Sequence, residues 1–103
     1  MIEYEVLKEL INEWTHIKED SSSKIEYLDN KLGIILYELI KSQPNCIEDI
    51  AKRIDEKKYK FYLNKLNGIV RKLVNKGVIR IQAKLPMKEN NKIVYRIVYE
   101  VVE

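Results

Sequence analysis

The second half of the chain carries Lys57, Lys58, Lys60, Asn64, Lys65, Asn67, Arg71 and Lys72 on or beside one polar stripe of a helical repeat, opposite an apolar face. These residue types suit a nucleic acid. An Asn amide can be bidentate to adenine and an Arg guanidinium to guanine, whereas a Lys ammonium neutralises phosphate. A second cluster, Lys88, Asn90, Asn91 and Lys92, falls in a polar connection between two strand-like runs and can reach a phosphate or an adjacent groove, although such connections are commonly polar for turn reasons alone. The surrounding charge agrees with a polyanionic partner. From Lys57 to Arg96 there are 12 basic side chains and one acid, Glu89, while residues 1–55 hold 7 basic and 12 acidic ones. A solvated basic face would also be rich in lysine, so it is Asn and Arg among the lysines that favour base reading.

Other chemistries are largely excluded. His16 and Cys46 are the only histidine and cysteine, which removes Cys/His zinc sites, Cys-His dyads and Ser-His-Asp triads within one chain. With three glycines there is no Gly-rich phosphate cradle. The expectation is therefore a protein that is not an enzyme and needs no metal and no cofactor. His16 reads as a surface residue, and Cys46, although placed at a helix start where a thiol pKa can fall, reads as a buried or inert thiol. The length of 103 residues fits one domain. No run reaches the ~18 apolar residues of a membrane helix, and the acidic start MIEYEVLKEL lacks a signal peptide's basic n-region, so the expected setting is intracellular, cytoplasmic and away from membranes.

The elements that must position the basic residues follow from periodicity. Val6, Leu7, Leu10, Ile11, Trp14 and Ile17 make an amphipathic stripe within residues 1–20. Ser23 with Glu26 reads as a capping box opening a second helix to about Lys41, whose segment LGIILYELI is apolar most of the way round, as in a central helix covered on two sides. Pro44 ends it. Asn45 with Glu48 reads as another capping box, opening a short helix from Ile47 to Ile54. Tyr59, Tyr62, Leu63, Leu66, Ile69, Val70, Leu73 and Val74 keep one face of a longer helix to Lys76, with Gly77 at its C′ position. Gly68 inside that helix reads as a kink, a site of close packing or a point of approach to phosphate. Then Ile79, Ile81, Ala83 and Leu85 alternate with polar residues, PMKENNK reads as a connection, and Ile93 to Val102 alternate again. Of seven tyrosines, Tyr59, Tyr62, Tyr95 and Tyr99 fall on apolar periods and read as core or edge residues rather than a stacking platform.

This order, α+β and mainly α, resembles the winged helix-turn-helix domains of MarR- and ArsR-like regulators, particularly small ones from archaea and their viruses. The residues that carry the likeness are SQPNCIEDIAKRI, similar to a helix-turn-helix start, and LNGIVRKLVNKGVIRI, similar to a recognition helix running into a wing. It covers about residues 24–100, with a helical core over 24–76 and a wing hairpin over 78–102. Between Ala51 and Leu66 the chain is about five residues longer than the usual spacing. The resemblance implies double-stranded DNA as partner and transcription regulation as role. It also implies that the N-terminal half of the long helix enters the major groove, favouring Lys57, Lys58, Lys60, Asn64 and Lys65 over Asn75.

A three-helix core with a wing closes without residues 1–19. The stripe Leu7, Leu10, Ile11, Trp14 and Ile17 therefore either covers its own domain or pairs with a two-fold mate, and the homodimer is the reading taken, because groove-reading domains gain affinity from two half-sites. Three functions remain open. The leading one is a sequence-specific, dimeric regulator. The others are a nonspecific architectural DNA-binding protein and a winged-helix module that grips an acidic protein. Any small-molecule effector is unknown from sequence.

Overall fold

The computed structural model describes residues 2–17 and 22–103. Helix α1 (Ile2–Thr15) is followed by α2 (Ser22–Ser42), strand β1 (Asn45–Cys46), α3 (Ile47–Ile54), α4 (Tyr59–Asn75), β2 (Ile79–Glu89) and β3 (Lys92–Val101). The fold is α+β and mainly helical, and its sheet has the antiparallel order β1-β3-β2, a layout compatible with a winged helix. Among the described residues no helix is long and apolar enough to cross a membrane.

The core is mainly aliphatic, with Tyr4 and Tyr62 at its edge. Leu28, Leu32, Leu36 and Ile40 of α2, Ile50 of α3, Leu66 and Ile69 of α4 and Ile79 of β2 are almost wholly enclosed, and no polar side chain is buried with them among the described residues. Gly33 of α2 is buried because α4 crosses there, and a Cβ on it would meet Leu73 Cδ2 at 3.7 Å and Ile69 Cγ2 at 3.9 Å. The expectation that α2 is covered on two sides holds for Leu36 and Ile40 but not for Ile34, which is 65% exposed.

Helix α1 corrects the assignment made to its stripe. Leu7, Leu10 and Ile11 are buried in their own domain, and Trp14 and Ile17 are half-buried against the same core, so the stripe is not a free face for a two-fold mate. Polar contacts hold the helix there: Asn12 Nδ2 donates to the Tyr62 hydroxyl at 3.3 Å, Arg53 Nη1 donates to the Tyr4 hydroxyl at 3.3 Å, and Lys8 lies 3.5 Å from Asp55. The physical reason is that the apolar faces of α2, α3 and α4 supply the aliphatic surface against which α1 packs.

Three local expectations also change. Ser23 lies inside α2, not at its cap. Asn45 and Cys46 pair with Tyr99 and Val98, so their backbone groups find partners in the sheet and the residue preceding α3 carries no side-chain cap. The expected seven-residue connection PMKENNK is mostly strand. Only Asn90 (φ 50°) and Asn91 (φ 65°) turn the chain, a two-residue loop with both residues left-handed. Pro86 sits opposite Tyr95 on the edge strand β2, where the missing N–H is tolerated. Gly77 (φ 76°) does end α4 as expected: its N–H bonds Val74 C=O at 2.9 Å, and Val78 N–H bonds Leu73 C=O at 3.2 Å.

Candidate nucleic-acid interface

The position of α4 is set by the turn before it. Asp55 Oδ1 accepts the backbone N–H groups of Lys57 and Lys58, each at 3.1 Å, which closes residues 55–58 into a tight link between α3 and α4. The Lys58 amide, with the Lys8 charge and the Lys57 amide behind it, holds the Asp55 carboxyl below the usual carboxylate range. Helix α4 then buries Tyr62, Leu66, Ile69, Val70 and Leu73, and the opposite side carries Lys60, Asn64, Asn67 and Arg71, all exposed. Lys57 and Lys58 are exposed beside its first turn.

Lys65 and Lys72 do not belong to that outward stripe. Lys65 Nζ donates to Asp29 Oδ1 at 2.8 Å and lies 3.5 Å from the Trp14 ring centroid, leaving the side chain only 14% exposed. Lys72 Nζ donates to Asp29 Oδ2 at 2.6 Å, although its side chain is 61% exposed. Both residues project from the flank of α4 that faces α2, where one carboxylate takes both charges. Burial alone would raise the Asp29 pKa, but the hydrogen bonds and charges of Lys65 and Lys72 outweigh it and hold the carboxyl below its ordinary value. Lys65 is thus a tie among three helices, its ammonium turned to Asp29 and Trp14 and not to the outward stripe with which it was expected to meet DNA.

The hairpin adds a second basic surface through an irregularity the alternation pattern conceals. Ile81 pairs with Tyr99 but Ala83 pairs with Val98, so Gln82 is an inserted residue and the facing of β2 reverses beyond it. Cross-strand partners share a face. Lys84 and Lys88 therefore join Ile97 and Ile93, the face of Tyr95 and Tyr99, while Ala83, Leu85 and Met87 join Val98, Arg96 and Val94 on the other. The expected single apolar face Ile79-Ile81-Ala83-Leu85 is broken at Gln82. A cleft of about 190 Å³ lined by Leu63 and Asn67 of α4 and by Tyr95, Ile97 and Tyr99 joins the α4 flank to the lysine-bearing face of the hairpin. Lys88, Asn90, Asn91 and Lys92 are all exposed at the tip.

Not every cation of the basic segment is available. Arg80 pairs with Glu100 at 2.7 Å, and Arg96 donates to Asp49, which raises the guanidinium's pKa further. Lys84, and the exposed rings of Phe61 and Tyr95, were not among the expected site residues. The Asn90-Asn91 pair was a readable signal for a short turn, which would have extended β2 through Lys84 and Lys88; nothing in the alternation reveals the insertion at Gln82. Gly68 has no atom within 4 Å of where a Cβ would lie, which sets aside close packing as its reason. Beside it a recess of about 410 Å³ opens between α1 and α4, lined by Trp14, Phe61 and Asn64. Cys46 is buried, which pushes its thiol pKa up. Among the described residues no group of three or more His, Cys, Asp or Glu could hold a metal ion.

Comparison with family models, curated proteins and solved structures gives no match for this chain.

Proposed function

We propose that the chain is a winged helix-turn-helix protein that binds double-stranded DNA in a sequence-dependent way, acts as a homodimer and regulates transcription without catalysis or cofactor. In this reading α3 and α4 form the helix-turn-helix, α4 lies in the major groove, and the β2–β3 hairpin is the wing. The observation that carries it is the outward stripe of α4, where Lys60, Asn64, Asn67 and Arg71 are exposed and make no side-chain hydrogen bond or ion pair among the described residues. Lys57 and Lys58 are exposed before its first turn and Lys84, Lys88 and Lys92 are exposed on the hairpin, so lysines for phosphate accompany Asn amides for base edges.

The test is selection of random duplex fragments by the purified protein, followed by binding of a selected and a scrambled duplex over a range of salt. If the bound form neutralises about 6 to 10 phosphates, affinity falls by roughly 10³ to 10⁵ between about 50 and 200 mM salt. Enrichment of a sequence supports the reading. Salt-dependent binding without enrichment replaces it by architectural coating, and duplex affinity insensitive to salt removes the nucleic-acid reading in favour of an acidic protein partner.

A further inference from the structure

Helix α1 fills its own domain, so the homodimer proposed above, on which this inference rests, needs another face, and the outer face of α2 has the chemistry for it. Tyr27 and Ile34 are 56% and 65% exposed on that face, and Asn30, Lys31, Glu38 and Lys41 around them are exposed as well. At 3.6 residues per turn all six lie within roughly 60° of Ile34, so they form one stripe down the helix. Among the described residues Lys31, Glu38 and Lys41 have no ion-pair partner within the chain, and the polar contact recorded for Lys31 is with the Tyr27 ring at 5.2 Å.

We propose that α2 of one chain packs antiparallel on α2 of a second copy, about a two-fold axis passing by Ile34. The sequence of the stripe is complementary to itself under that operation. Ile34 meets its own mate at the centre. Tyr27 and Lys41 are equidistant from it, so each Lys41 ammonium meets the partner's Tyr27 ring. Lys31 and Glu38 lie on the same side of the stripe, and their heights along the axis differ by about 1.5 Å after the two-fold, which places each Lys31 beside the partner's Glu38. A parallel pairing would leave Lys31 and the partner's Glu38 on opposite flanks of the contact and at different heights, so it forms no such pair. The Lys31–Glu38 and Lys41–Tyr27 pairs therefore suit the antiparallel two-fold arrangement, an isologous contact that closes on itself. The stripe from Tyr27 to Lys41 is about 21 Å long, so the buried surface falls near or below the ~800 Å² per partner of a stable interface. The dimer is accordingly weak and concentration-dependent.

The contact lies on α2 alone and does not depend on duplex binding. Sedimentation equilibrium of the whole chain, from micromolar to near-millimolar concentration, should show the mass rising from 12.3 kDa toward twice that value. Ile34→Asp should remain monomeric at every concentration with unchanged helical circular dichroism. Glu38→Lys and Lys31→Glu should each weaken association by roughly tenfold, since two attractive contacts become repulsive. The double variant K31E/E38K restores both pairs with reversed sign and should associate like the wild type. A wild type that stays monomeric, an Ile34→Asp protein that still dimerises, or a double variant no tighter than the singles overturns the proposal.

Discussion

The two flanks of α4 carry the same residue types and perform opposite tasks. Lys60, Asn64 and Arg71 face away from the protein with no partner among the described residues, whereas Lys65 and Lys72 face α2 and share Asp29. Lys65 directly follows Asn64 in sequence and lies about 100° round the helix from it, on the flank toward α2, and no propensity or charge count separates them. What separates them is the residue across the gap. A lysine near a partly buried carboxylate exchanges hydration for a charge-assisted hydrogen bond of about 2 to 3 kcal/mol, and the Trp14 face receives the rest of the ammonium. A lysine with no carboxylate in reach keeps its water and its charge for a ligand. Basic residues in a sequence are therefore an upper bound on a basic surface.

The largest expected effect breaks the inward flank. Asp29→Ala leaves Lys65 enclosed without its counter-charge and should cost about 3 kcal/mol of stability in denaturant unfolding. Acid should act on the same tie. The Asp29 pKa is depressed in the folded protein, so its contribution is fully present above the unfolded value, ~3.9, and is lost as pH falls through the lower folded value. Stability measured across that acid window should fall in the wild type with a component that Asp29→Asn lacks. An Asp29→Ala protein as stable as the wild type would show that Lys65 is not held there, and would return it to the outward surface.

The next effect breaks the outward flank. A bidentate base contact carries about 1 to 3 kcal/mol of discrimination, whereas a phosphate contact carries almost none. Asn64→Ala should thus lose affinity on a selected duplex and little on a scrambled one, with folding unchanged within about 0.5 kcal/mol. Arg71, nearer the C-terminal end of α4, should weaken both duplexes similarly when replaced by Ala. Equal losses on both duplexes for Asn64→Ala would remove it as a reader of bases.

Much of this architecture was legible. The helical stripes placed Tyr62, Leu66, Ile69, Val70 and Leu73 inward and Lys60, Asn64 and Arg71 outward, because burial in α4 follows its own period. The C-terminal cap at Gly77 and the bounds of α3 were legible for the same local reason. Residues that answer to partners distant in sequence were not. Lys65 depends on Asp29, 36 positions away, and the strand character of Asn45 depends on Tyr99. The α1 stripe announced burial but not whether its own domain or a second copy supplies it, since both present the same aliphatic surface. The inserted Gln82 reversed the facing of Lys84 and Lys88, and a one-residue slip in a strand leaves no trace in an alternating sequence.

The smallest expected effect sharpens the comparison between the flanks, because Lys72 belongs partly to each. Its side chain is 61% exposed, as a phosphate contact requires, yet its ammonium is 2.6 Å from Asp29. Exposure and pairing make different predictions for it. If exposure governs the basic surface, Lys72→Gln should weaken duplex binding as much as Lys60→Ala does, and each should lower the slope of log affinity against log salt by about one. If pairing governs, Lys72 is already neutralised and lies on the α2 side of α4, so its replacement should leave the slope nearly unchanged. Its stability cost should also be small, about 0.5 kcal/mol, because the exposed partner of an ion pair contributes little and Lys65 still satisfies Asp29. The outcome expected is a full unit of slope lost for Lys60→Ala and only a small fraction of one for Lys72→Gln. Equal slopes for the two variants would mean that the Asp29 pair opens at negligible cost when phosphate approaches, and that the whole circumference of α4 outside its apolar face meets the duplex.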